Sequence, residues 1–296
     1  MSLKSTVGIA AIVVVGCGAG AFYWLHSRTA PPIPEVAAPE PPGFHEAPSA
    51  EKPAIATVAK LPAPAETKKA PPPVDPGFLL KEGETLEFTA NVSSLKDVAN
   101  LKLEVAGRGN FLGKSTWHLR AFAHTLNPLR MVFELDDQFD SYSDATSLAS
   151  LQYEMHLSER GQKVESIQRM TATGKEPASP YAAEARVLPG TRDPLGLMQY
   201  FRNVDWTKTP EVHSPAYDGH KLYDVRAKLT AASEKIVVPA GNFTASKISI
   251  RVLDNGVEMK DASFTLYLAN NAARTPVLLE AVLPFATARV ELLKSK

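Results

Sequence analysis

Between Thr29 and Pro76 the chain carries 14 of its 24 prolines, including Pro31-Pro32, Pro41-Pro42 and Pro71-Pro72-Pro73. Proline fixes φ and donates no amide hydrogen bond, so such a stretch cannot build a sheet or a helical core. It is expected to be a disordered, extended spacer. At about 3.1 Å per residue its 48 residues reach roughly 150 Å when fully drawn out. The chain is thereby cut into a short N-terminal segment (1–28), a linker (29–76) and a C-terminal domain (77–296). Only the last can bury a sizeable core.

The N-terminal segment contains one apolar run, Val7 to Leu25, long enough to span a bilayer at about 20 residues per crossing. An uncleaved signal anchor accounts for it best. Lys4 lies before the run, and Phe22-Tyr23-Trp24 sit where aromatic rings prefer the membrane interface. Two alternatives remain. Val14-Val15-Gly16-Cys17 loosely fits a lipoprotein box with Cys17 as the lipidated residue, and Ala19-Gly20-Ala21 could serve a signal peptidase. The apolar residues after Cys17 argue against lipidation. The expected location is the bacterial inner membrane, crossed once, with the C-terminal domain in the periplasm.

Charge and cysteine content exclude several functions. The chain has 32 basic and 32 acidic residues, and the domain keeps 26 of each. A balanced domain lacks the basic footprint of a nucleic-acid binder. Cys17 is the single cysteine, so the domain has no disulfide, no thiol nucleophile and no cysteine-ligated zinc.

After Pro76 the pattern becomes alternation, which marks strands with one buried face. Leu101, Leu103 and Val105 alternate with Lys102 and Glu104, and Ile248, Ile250 and Val252 alternate with Lys247, Ser249 and Arg251. Trp117, Leu119, Ala121 and Ala123 oppose His118, Arg120, Phe122 and His124. Further strands are predicted at 84–92, 131–136, 151–158, 164–171, 222–229, 263–268, 277–282 and 288–293. Turns are expected at Gly107-Arg108-Gly109-Asn110, Pro239-Ala240-Gly241-Asn242 and Asp254-Asn255-Gly256. Asp193 as cap, Pro194 at the first position and the spacing of Leu195, Met198 and Phe201 predict a helix over 193–203. A second short helix is expected around 145–150, capped by Asp144. The expected fold is all-β and mainly antiparallel: a strongly curved sheet or incomplete barrel with one or two short helices.

Several segments in order resemble a bacterial exported family of unknown function, DUF3108. They are Lys81-Glu82-Gly83-Glu84-Thr85-Leu86-Glu87-Phe88 and Phe133-Glu134-Leu135-Asp136-Asp137-Gln138-Phe139-Asp140-Ser141-Tyr142-Ser143-Asp144. Asp193-Pro194-Leu195, Tyr200-Phe201-Arg202 and Tyr217-Asp218-Gly219-His220-Lys221-Leu222-Tyr223 follow. Val238-Pro239-Ala240-Gly241-Asn242-Phe243, Arg274-Thr275-Pro276-Val277 and Arg289-Val290-Glu291-Leu292 complete the set. The resemblance covers nearly all of 78–293 and implies an exported or periplasmic antiparallel β domain. It implies no activity.

No Gly-x-Ser-x-Gly elbow, phosphate loop, dinucleotide fingerprint or His-Glu-x-x-His helix occurs. Ser93-Ser94-Leu95-Lys96 has the Ser-x-x-Lys spacing of penicillin-binding enzymes but none of their partner motifs. His118, His124, His156, His213 and His220 lack ligand spacing, and His118 and His124 are about 20 Å apart along one strand. The best candidate for a cation site is the acidic group Asp136, Asp137, Asp140 and Asp144, although it lacks the glycine and terminal glutamate of a calcium loop. Turn and capping roles compete for the same aspartates. Arg120, Arg202 and Arg274 sit within or beside apolar stretches and call for carboxylate partners, with those aspartates available, or for an anionic ligand.

These features favour a membrane-tethered, non-catalytic binding or scaffolding module of the cell envelope, without a cofactor. Its partners are expected to be the membrane, through the N-terminal helix, and an apolar ligand or an envelope protein. The alternatives are a hydrolase of envelope polymers using Asp137 and Asp140, and a structural part of an envelope complex.

Overall fold

A computed structural model of the chain describes residues 78–171, 182–260, 262–284 and 286–296. The apolar run, Cys17 and the proline-rich stretch lie outside the described residues. Within them the chain forms β1 (Thr85–Val92), β2 (Leu95–Phe111), β3 (Lys114–Thr125), β4 (Asp136–Asp144), β5 (Ser150–Glu159), β6 (Gln162–Thr171) and β7 (Ala183–Arg186). Helix α1 (Pro194–Asn203) follows, then β8 (Glu211–Tyr217), β9 (Leu222–Val238), β10 (Gly241–Asp254), β11 (Val257–Glu258), β12 (Ser263–Ala269), β13 (Pro276–Leu283) and β14 (Ala286–Ser295).

These strands make one sheet in the order β7-β6-β5-β4-β3-β2-β1-β14-β13-β12-β10-β9-β8, with β11 beside β10. The β6–β7 pair is parallel, and the other described pairs are antiparallel. The sheet is not closed, because no strand ladder joins β7 to β8. It nevertheless curves until its two ends meet through side chains and one connecting segment. Tyr217 donates its hydroxyl hydrogen to Gln168 Oε1 at 2.7 Å, and Gln168 Nε2 donates to Gly219 O at 3.0 Å. Ser150 N donates to Thr191 O at 2.9 Å, while Arg192 N donates to Pro215 O and Tyr217 N to Arg192 O. The segment 191–192 thus clips the β5 side of the sheet to its β8 edge.

Strand alternation sends one row of each strand inward and the next outward. Inward go Leu101, Leu103 and Val105 of β2, Phe139 of β4, Tyr153, Met155 and Leu157 of β5, and Leu279 and Ala281 of β13, all buried. One continuous core runs from Leu80 to Leu292. The outward rows carry ion pairs such as Arg289 with Glu280 and Glu291, and His118 with Asp140. A strand barrel that crosses a bilayer needs an apolar band there instead. No helix among the described residues is long and apolar enough to cross a membrane.

Helix α1 fills the hollow. Seven of its ten residues are buried, which places it inside the sheet rather than on its surface. At about 15 Å long it reaches from β4 and β5 to the β12–β13 connection.

Three expectations need correction, and one strand, β8, has no counterpart among them. Gly107 to Asn110 lie inside β2, past a bulge, and the hairpin turns at Leu112-Gly113, both at positive φ (53° and 76°). Two residues at positive φ are what a tight hairpin of matching twist requires. Gly107 instead serves close approach, since a β-carbon there would lie 3.2 Å from Glu82 Oε1. Residues 131–136 are not a strand: Leu129–Met131 forms a 3-10 turn, Leu135 makes an isolated bridge to Glu159, and β4 begins at Asp136. No helix forms at 145–150. Asp144 Oδ1 does accept hydrogen bonds from Thr146 N and Ser147 N, but Leu148 adopts φ 58° and ends the turn. Strand β8 was hidden by Pro215, which is tolerated there because β8 is an edge.

Candidate functional site

The acidic stretch 136–144 is a strand, and this separates its carboxylates. Asp136 faces out and is held below the usual carboxylate range chiefly by hydrogen bonds from Arg130, at 3.0 and 2.6 Å. Asp140 also faces out, accepting from His118 at 2.6 Å and from Gln138 at 2.7 Å. Burial raises its pKa, yet these bonds and the nearby His118 and His156 outweigh it, so the net shift is downward. Asp144 spends its acceptors on Thr146 and Ser147, which likewise overcome burial and lower its pKa. Asp137 points to the opposite face, where Ser158 N donates to its Oδ1 at 2.9 Å. Burial, with smaller contributions from Glu159 and Asp136, pushes its pKa up to about 7. The four aspartates therefore share no centre. Among the described residues no group of three or more His, Cys, Asp or Glu side chains is arranged to hold a metal ion.

Sequence reasoning missed a second carboxyl beside Asp137. Burial pushes Glu159 up to about 7, and both Asp137 Oδ2 and Glu159 Oε1 are buried without a hydrogen bond among the described residues. On the outer face His156 contacts Glu165 through Nδ1 and Glu154 through Nε2, at 3.4 Å for the latter. Burial works to lower its pKa, but Glu165, Asp140 and Glu154 together raise it. His213 lies instead beside Glu211, at 3.6 Å. Ser93 lies at φ 53° in the β1–β2 turn, and nothing there resembles a catalytic serine on a helix.

The anchoring of α1 is a further polar site. Asp193 is fully buried; its Oδ1 accepts from Leu195 N and Gly196 N, and its Oδ2 accepts from Ser141 and Ser150 hydroxyls, both at 2.5 Å. Burial raises its pKa against all four of these bonds. At the other end Arg202, also fully buried, donates to Glu84 Oε2 and Oε1 at 2.5 and 2.6 Å and to Ala273 O at 2.7 Å. The arginines thus find glutamates rather than the predicted aspartates: Arg120 pairs with Glu104 at 2.9 Å. Arg274 is different. Its Nη1 donates to Val204 O at 2.7 Å and Asn203 O at 3.3 Å, the carbonyls at the end of α1.

Among the described residues, three cavities adjoin α1 or its end. Two are apolar and small: about 30 Å³ between Leu101, Leu103, Leu119, Leu195 and Met198, and about 20 Å³ between Leu197, Phe201, Ile250 and Leu266. The third, about 230 Å³, opens at the end of α1 and is lined by Asp205, Trp206, Thr207, Ser246, Asn270, Asn271 and Arg274 with Leu268 and Ala269. It is the candidate site that the geometry offers, and only Arg274 among its polar residues was singled out from sequence.

No protein of characterised function matches the chain. Among solved structures it is similar to a β-barrel-like DUF1849 protein from Brucella abortus, at 10% identity over 73% of this chain and 97% of that one, with a TM-score of 0.45. A "putative lipoprotein" from Parabacteroides distasonis follows at 15% identity, covering 74% and 98%, TM-score 0.34. A "putative exported protein with YmcC-like fold" from Bacteroides fragilis gives 11% identity, 74% and 98% coverage and TM-score 0.34. Over residues 85–293 the sequence matches the family described as protein of unknown function (DUF3108), and the chain belongs to that family.

Proposed function

We propose that this chain is a membrane-tethered, non-catalytic module of the bacterial cell envelope that works through contact with another envelope protein rather than by carrying a lipid. The observation that supports the second half is the filled interior. Helix α1 occupies the hollow of the sheet, and the apolar cavities it leaves measure about 30 and 20 Å³. Spaces of that size hold only a water or two, so neither admits an acyl chain. The tether and its membrane segment rest on the sequence alone, on Val7–Leu25 and the prolines of 29–76. The rival reading, hydrolysis of envelope polymers through Asp137 and Asp140, needs both carboxylates in one cleft. They occupy opposite faces of β4.

Cell fractionation of the full-length chain tests the tether. It should sediment with membranes and resist alkaline extraction, and its domain should become sensitive to added protease only after the outer membrane is opened. Recovery in the soluble cytoplasm overturns the reading.

A further inference from the structure

We propose that the cavity at the end of α1 binds a small organic carboxylate of amino-acid size, with Arg274 as its anion receptor. Of the three arginines that could meet an anion, Arg120 and Arg202 are neutralised by Glu104 and Glu84. Arg274 has no carboxylate partner among the described residues. Its Nη1 is fixed on Val204 O and Asn203 O, where a cation also complements the negative end of the helix dipole. Its other guanidinium N–H groups make no hydrogen bond to the described residues, and the side chain lines the cavity. A half-buried guanidinium so placed is a ready receptor for a planar carboxylate.

The backbone around it is prepared. Arg274 sits at φ 44°, a conformation disfavoured for a residue with a β-carbon, and such outliers concentrate at functional sites. Arg274 N donates to Asn271 O, Thr275 N to Asn271 Oδ1, and Asn270 Nδ2 to Ala232 O, so the loop is held before any ligand arrives.

Size and charge select the ligand class. A volume of about 230 Å³, lined mainly by polar side chains, has room for a ligand of amino-acid size. Thr207 and Lys208 hold Asp205 down to about 2, so an ionised carboxylate also lines the cavity. A phosphate dianion meets repulsion there, whereas one carboxylate with an adjacent N–H donor offers an anion to Arg274 and a hydrogen bond to Asp205. Trp206 and Leu268 supply apolar wall. That chemistry belongs equally to a free amino acid and to a peptide C-terminus.

The site stands independently of the tethering proposal, and its test uses the full-length protein in detergent. The Trp206 indole N–H, hydrogen-bonded to Phe201 O at 2.9 Å beside the cavity, is the nuclear magnetic resonance reporter. Alanine, N-acetylalanine and alaninamide are titrated in turn. At least one carboxylate probe should shift the signal saturably at millimolar concentration, while alaninamide should not. Alanine alone assigns a free amino acid; N-acetylalanine alone assigns a peptide end. Arg274→Gln should weaken binding at least about tenfold. Because that variant also loses the helix contact, Ser246→Phe, which fills the cavity and leaves Arg274 in place, serves as a second variant. It should melt cooperatively and lose binding by a similar factor. No saturable shift with either carboxylate, an equal shift with alaninamide, or undiminished binding in folded Ser246→Phe overturns the proposal.

Discussion

Arg202, at the buried end of α1, is gripped by both carboxylate oxygens of Glu84, which lies 118 residues earlier in the chain and just before β1. The pair fastens the helix inside the sheet, and the core on either side depends on that placement.

Breaking the pair leaves a guanidinium buried without its counter-charge. Glu84→Ala should cost about 3–5 kcal/mol in chemical denaturation, while the double variant Glu84→Leu with Arg202→Met should recover a large part of it. A single-variant loss below about 1 kcal/mol would mean that water reaches Arg202 freely.

The other end of the helix gives a second prediction. Asp193→Ala removes the cap and leaves the Ser141 and Ser150 hydroxyls and two amides without their acceptor, and should cost roughly 2–4 kcal/mol. Gly196→Ala should also destabilise, by about 1–3 kcal/mol, because its β-carbon would lie 3.0 Å from Ser143 Oγ and 3.1 Å from Leu148 O. Both are read from denaturant midpoints; an unchanged midpoint for Gly196→Ala would show that β4 and β5 yield easily.

Much of this framework is legible in the sequence. Alternation such as Leu101-Leu103-Val105 is a local signal that the sheet obeys, and Asp193-Pro194 announces its helix within two residues. The stretch 136–144 is not legible, because Asp, Ser and Gln have the composition of a turn. Its pairing is decided by distant partners: His118 for Asp140, and Asp193 for Ser141. Which carboxylate an arginine finds is equally non-local, so Glu84 cannot be read from the neighbourhood of Arg202. The cavity at Arg274 depends on two connections, 204–207 and 270–274, that meet only in the folded chain.

Asp137 and Glu159 make stability depend on pH. Their pKa values rise from ordinary values of 3.8 and 4.5 to about 7, so the folded state keeps protons that the unfolded state has released. The contribution of these two groups to stability is therefore greatest below about pH 4, falls as pH rises toward about 7, and levels off above. Asp137→Asn, which can still accept from Ser158 N, should flatten this slope and raise the melting temperature at about pH 8 more than at about pH 4. A pH slope identical to that of the unaltered protein would contradict the buried pairing.

A sheet filled by its own helix, as proposed, leaves no room for a bound lipid. Residues 77–296 contain the whole core from Leu80 to Leu292, so this fragment can be produced in the periplasm and weighed by native mass spectrometry before and after denaturation. Both spectra should show the bare polypeptide mass, or at most a small-molecule adduct of amino-acid size. A stoichiometric adduct of lipid mass, released on denaturation, would contradict the proposal.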